Sequence, residues 1–171
     1  MDLSQIPVLD NHCHFFSTKQ NTQPLHRMLT LSLNKMPDNQ LRHSIIYRKT
    51  LESLADFFGI DSNEEKVLET RKNAATKDYT TFVRNLMEDV HLSWMMVDIG
   101  LQKSSVDFKD FEALVPFPIY YVYRIETVID RLWRDRVPAA EGIKKFREEV
   151  QHAVRDLPAI ALKSIIGYRT G

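Results

Sequence analysis

Apolar and polar positions change rhythm twice along this chain. Ile6-Pro7-Val8-Leu9-Asp10 is a short apolar run that reads as a strand, closed by the tetrad Asn11-His12-Cys13-His14. The spacing then turns helical. Pro24 to Leu33 suits a short helix or an irregular segment. Asp38, after Pro37, suits the N-cap of a helix whose apolar set runs Leu41, Ile45, Leu51, Leu54 and Phe58 and which Gly59 stops. Ser62 with Glu65 makes a capping-box pattern for a helix carrying Val67, Leu68 and Ala75. Tyr79, Phe82, Val83, Leu86, Met87 and Val90 share one face of a third helix, over 78–90. At Leu92 the rhythm changes again. Leu92 to Ile99 is apolar on both parities, as in a strand buried on both faces of a parallel sheet, and Gly100 ends it. A short helix near Asp107 to Leu114, a strand from Pro118 to Arg124, helices over 126–136 and 138–154, and a last strand over 159–166 complete the pattern. Four strands separated by helices predict a parallel α/β architecture.

Composition narrows the class. With 171 residues, 43% of them hydrophobic, the chain is long enough to bury a core as one domain or a large piece of one. Lys and Arg number 23, against 23 Asp and Glu, and no basic block stands out, which argues against a nucleic-acid binder and a membrane-surface helix. No apolar stretch approaches the roughly 20 residues that span a bilayer. A single cysteine forms no internal disulfide, and the first residues lack a basic region followed by a long apolar core. Together these predict a cytoplasmic protein.

Three constellations carry candidate chemistry. Alternate strand residues share a face, so His12 and His14 project together and can grip one metal ion; the alternative is a pair of imidazoles satisfied by backbone hydrogen bonds. Their place at the carboxyl end of the first strand of a βα pattern is where α/β sheets and barrels put their sites. Cys13, on the opposite parity, packs against a covering helix. Lys163 lies inside the last strand beside the small Ala159 and Ala161, and a buried lysine needs a partner, either as a structural ion pair or in catalysis. Arg124 offers a planar fork for a carboxylate or phosphate, or it pairs with Asp98 or Glu126. Asp98 also ends a strand on this side and could orient a ligand. His26, His43, His91 and His152 read as surface or capping residues.

Leu9-Asp10-Asn11-His12-Cys13-His14 resembles the first-strand signature of the amidohydrolase superfamily, metal-dependent hydrolases built on a (β/α)8 barrel. Residues 121–127 (YVYRIET) and 162–171 (LKSIIGYRTG) are similar to the amidohydrolase-related branch, which includes TIM-barrel metal hydrolases and the nodulin-like domain fused to glutamine synthetase modules. The resemblance covers essentially the whole chain. It implies the N-terminal half of a TIM barrel, about four parallel strands with a helical insertion over 22–90 after strand one. It implies that His12 and His14 bind one or two divalent ions, zinc foremost, and that Lys163 joins them as a carbamate. Arg124 and Arg169 would contact an anionic small-molecule substrate. The chemistry implied for the intact enzyme is cleavage of a C–N bond by metal-activated water, with decarboxylation and isomerisation open to the same scaffold. The family also uses histidines on strands five and six and an aspartate on strand eight. A full barrel takes roughly 250 residues, so the chain as given reads as a fragment and no catalytic base is assigned in it. The rival expectation is a half-barrel that self-associates, acts only with a complementary C-terminal half, or is inactive. A third is a small complete α/β protein whose histidines are structural.

Overall fold

The computed structural model describes residues 6–32, 34–101, 107–157 and 159–167. The chain divides into two compact units, residues 19–89 and residues 1–18 with 90–171.

Helices α1 (Leu25–Met28), α2 (Asp38–Arg42), α3 (Ile45–Phe58), α4 (Glu64–Lys77) and α5 (Tyr79–Asp89) make up the described part of the first unit. The sequence predicts one helix from Asp38 to Phe58, and the structure breaks it at Ser44. That residue is extended (ψ 145°) and its Oγ accepts the Tyr47 N–H at 3.3 Å, so its side chain caps a new helix instead of continuing the old one. Gly59 ends α3 in the left-handed region at φ 63°, where a side chain would be strained. The cap of α4 is Asn63, whose Oδ1 accepts the Lys66 N–H at 3.0 Å, and not the expected Ser62. Asparagine and serine cap about equally well, and this register puts Glu64 and Glu65 together in the first turn, against the positive end of the helix dipole. Leu25, Tyr47, Leu51, Leu54, Ala55 and Val67 form the core. His26 is not on the surface as expected. It is 5% exposed, edge-on to Tyr47, with Nε2 3.0 Å from Asp38 Oδ1, a partner twelve positions on that no local pattern marks.

The second unit carries one sheet of four parallel strands, β1 (Val8–Cys13), β2 (Leu92–Asp98), β3 (Ile119–Arg124) and β4 (Ala159–Lys163), in the order β1-β2-β3-β4. Parallel neighbours need crossovers, which α6 (Phe108–Leu114) provides before β3, and α7 (Glu126–Arg134) with α8 (Ala139–Asp156) before β4. Phe15 packs edge-on against Phe108 and Phe111 of α6, and the Tyr121 hydroxyl donates to Glu112 Oε1 at 2.5 Å. Tyr121 therefore faces α6, and Val122 and Arg124, one and three positions on from it, face the other side of the sheet. Strand β2 ends one residue before the expected Ile99, where the chain enters a 3-10 turn over Ile99–Leu101. Helix α7 stops at Arg134 and not Arg136, which takes a left-handed φ of 54°. Strand β4 ends at Lys163 and not Ile166, because Glu126 takes the next polar groups: its Oε1 accepts from the Ser164 hydroxyl and, at 2.7 Å, from the Ile165 N–H. No helix among the described residues is long and apolar enough to cross a membrane.

Candidate metal centre

The five chemically notable side chains of the sheet all stand at carboxyl ends of parallel strands: His12 and His14 at β1, Asp98 at β2, Arg124 at β3 and Lys163 at β4. In β1 the pairing slips. Asp10 lies opposite Met95 and Cys13 opposite Val97, so three steps on β1 match two on β2 and one residue of the Asn11-His12 pair is bulged out. Bulges of this kind re-aim side chains, and simple alternation does not anticipate it. The His12 and His14 rings nevertheless sit 5.2 Å apart. One ligand atom from each of His12, His14 and Asp98 lies within 4.8 Å of the others, the arrangement a small cation needs.

Hydrogen bonds set which imidazole nitrogens are free. His14 Nδ1 lies 3.3 Å from the Asp98 carbonyl oxygen, which only accepts, so Nδ1 carries the proton and Nε2 presents its lone pair. His12 Nε2 accepts from Lys163 Nζ.

Asp98 anchors the electrostatics. Its side chain is fully buried; Oδ1 accepts the Gly100 N–H at 2.8 Å, and Oδ2 accepts from Arg124 Nη2 at 2.5 Å and from Lys163 Nζ at 2.8 Å. Burial pushes the carboxyl up, but the bonds from Lys163, Arg124 and Gly100 outweigh it and hold the group below its ordinary value, as a carboxylate. Arg124 is itself 8% exposed, so of the roles its sequence allowed, the pairing with Asp98 is the one observed. Lys163 reaches both His12 and Asp98. Arg169 lies outside the described residues. Cys13 turns aside, its Sγ 3.5 Å from the Met96 carbonyl oxygen; burial, then the Asp10 charge, push its thiol up to about 12, so it stays protonated and is a poor ligand. The sequence marks Asp98 as a partner for Arg124 or a group that orients a ligand, and not as a third metal-binding group beside the histidines. Its signal was an acidic residue closing an apolar strand on the same side as the histidines.

The fold and site together define an α/β unit whose parallel sheet gathers two imidazoles and a carboxylate at its carboxyl edge. No protein-family model matches the chain, and no curated protein matches it. Among solved structures, it is similar to that of a "putative metal-dependent hydrolase" from Lactobacillus casei ATCC 334, with a TM-score of 0.78 at 23% sequence identity. The match covers 99% of this chain and 44% of that one, so the chain spans less than half of its neighbour. At this identity the likeness shows a shared fold.

Proposed function

We infer that the chain is part of a metal-dependent hydrolase of the amidohydrolase type, with a divalent ion, zinc foremost, held by His12, His14 and Asp98. The convergence of these three groups within 4.8 Å carries the reading. Two neutral imidazoles and a carboxylate suit zinc, and a catalytic site keeps about three protein ligands with one position open. The Asp98 carbonyl that bonds His14 Nδ1 is the kind of outer partner that orients a ligating histidine. When bound, such an ion acidifies a water and polarises a scissile bond. Further support comes from the strand order, which runs through four parallel strands without the reversal of a doubly wound sheet, as a (β/α)8 barrel does, and from the name given to the structural neighbour.

The chain's own residues suggest the substrate class. Arg124 and Lys163 bring two positive charges against the single carboxylate of Asp98. A divalent ion adds to that excess, so a small substrate with an anionic group is favoured, and Arg169 is a second proposed contact for it. Cleavage of a C–N bond rests on the sequence resemblance. A second reading, a half-barrel completed by a complementary half or a second copy, is favoured by the edge strand β4, where Ile160 and Leu162 are 55% and 51% exposed.

The test is metal content and turnover of small amides by the intact protein, with and without His12→Ala and His14→Ala together. The expected result is one tightly held divalent ion per chain and chelator-sensitive hydrolysis, both lost in the double variant. Retention of both by that variant contradicts the reading.

A further inference from the structure

Helix α3 turns one face to solvent, and the charges on that face are sorted by sign along the axis. Tyr47, Leu51, Leu54 and Ala55 are its buried side. On the opposite side, at helical spacing, stand Ile45, Lys49, Glu52 and Asp56, all exposed and flanked by exposed Ile46, Arg48 and Ser53. The basic residues Arg48 and Lys49 lie toward the start of the helix, and the acidic residues Glu52 and Asp56 toward its end. That order is the reverse of what the helix dipole favours, which is acid in the first turn and base in the last; α3 has neither. Within one chain this order weakens the helix. A second helix laid antiparallel against it turns the same order into attraction at both ends. Two large apolar side chains also stand on this face: Ile45 is 81% exposed and Ile46 55%. At the far end of the helix an open cleft of about 490 Å³ is lined by Ala55, Gly59 and Ile60 with Asp56, Asp61 and Lys66.

We propose that the outer face of α3 is a contact between two copies of this chain, packed antiparallel about a twofold axis between residues 50 and 51. A twofold contact is self-complementary, so residue i meets residue j and j meets i. In this register Lys49 stands opposite Glu52 of the second copy, and each Arg48 comes within a turn of an Asp56. Ile45 and Ile46 lie toward the cleft at the far end, which takes apolar surface out of water. Lys49 and Glu52 already bond each other at 2.6 Å within one chain, so the second copy completes a cluster of four alternating charges. A copy of this chain fits better than a uniformly acidic or basic partner, because either would meet like charge at one end of the stripe. The contact uses the helical unit alone and is independent of the reading of the metal centre.

The experiment is sedimentation velocity over a concentration series. It uses the full chain carrying Ile160→Lys and Leu162→Lys, which charge the exposed β4 edge so that only the α3 contact is read. A dimer that dissociates on dilution is expected. Lys49→Glu or Glu52→Lys, added singly, turns two attractions into two repulsions. An exposed ion pair is weak, but symmetry doubles the change, and each substitution is expected to raise the dimer dissociation constant about tenfold or more. Both side chains are exposed, at 72% and 52%, so the fold is kept, which thermal melts check. Mixing the two single variants in equal amounts restores opposite charges across the contact, and so does combining both substitutions in one chain. Each is expected to restore the dimer at a concentration where neither single variant forms it. A dimer indifferent to either substitution overturns the proposal, as do single variants that dissociate and are not rescued by mixing. A monomer at every concentration also overturns it and leaves the face to a different partner.

Discussion

At Gly100 the chain has room for nothing larger than hydrogen. A Cβ there would lie 2.4 Å from Arg124 Cβ and 2.8 Å from its Nε, and the first of these atoms cannot swing away because it is fixed to the β3 backbone. Gly100→Ala is therefore expected to destabilise the protein by about 1–3 kcal/mol, as overpacking does, and to disturb the Arg124–Asp98 pair beneath it. Urea unfolding checks this, and an unchanged midpoint contradicts the packing described. The difference in what the sequence revealed at this scale is physical. His12 and His14 were legible because two ligands with a single residue between them must be near each other in any conformation. Asp98 was not legible as their partner because it lies 84 residues from His14, and only the pairing of β1 with β2 brings them together. His26 was misread for the same reason: nothing in its neighbourhood announces the Asp38 and Tyr47 that bury it.

The elements meet at one charged clasp. Glu126 opens α7, is 7% exposed, and its Oε1 holds the Ser164 hydroxyl and the Ile165 N–H just beyond β4. Burial pushes this carboxyl up, but the bonds from Ser164, from its own backbone and from Ile165 and Ile166 outweigh it and leave it below its ordinary value of 4.5. A carboxyl depressed in the folded state adds stability above its unfolded value, and that stability is lost as pH falls through the folded value. Acid should therefore loosen the β4–α7 junction below about pH 4.5. Glu126→Gln keeps an acceptor there without the titration, and thermal melts between pH 7 and 3 should show a shallower loss of stability. An identical acid profile in the variant contradicts the assignment. Element positions were largely legible because periodicity is local; their ends were not. Ser44, Asn63 and Glu126 each end or begin an element by a side-chain bond that competes with the backbone ladder. The bulge in β1 arises from its pairing with β2, which periodicity cannot see.

For the molecule as a whole, the four-strand parallel sheet follows from the alternation of strand and helix patterns, and among the described residues β1 and β4 are its edges. Ile160 and Leu162 stay exposed on β4, and an open apolar edge is prone to pairing. The chain is expected to self-associate as its concentration is raised, and Ile160→Lys with Leu162→Lys to shift it toward monomer in light scattering. A wild-type chain that stays monomeric across the concentration series contradicts this. The site depends on the same sheet, since only its parallel order delivers four strand ends to one rim. Calorimetric titration of zinc into the wild-type chain and into His14→Ala and Asp98→Asn tests this account most directly. Loss of an outer partner alone typically costs 10–100-fold in metal affinity, so loss of a ligand should cost about a hundredfold or more. One tight site per chain, weakened to that degree in both variants, is the predicted result. No binding, or binding that neither substitution changes, would contradict it.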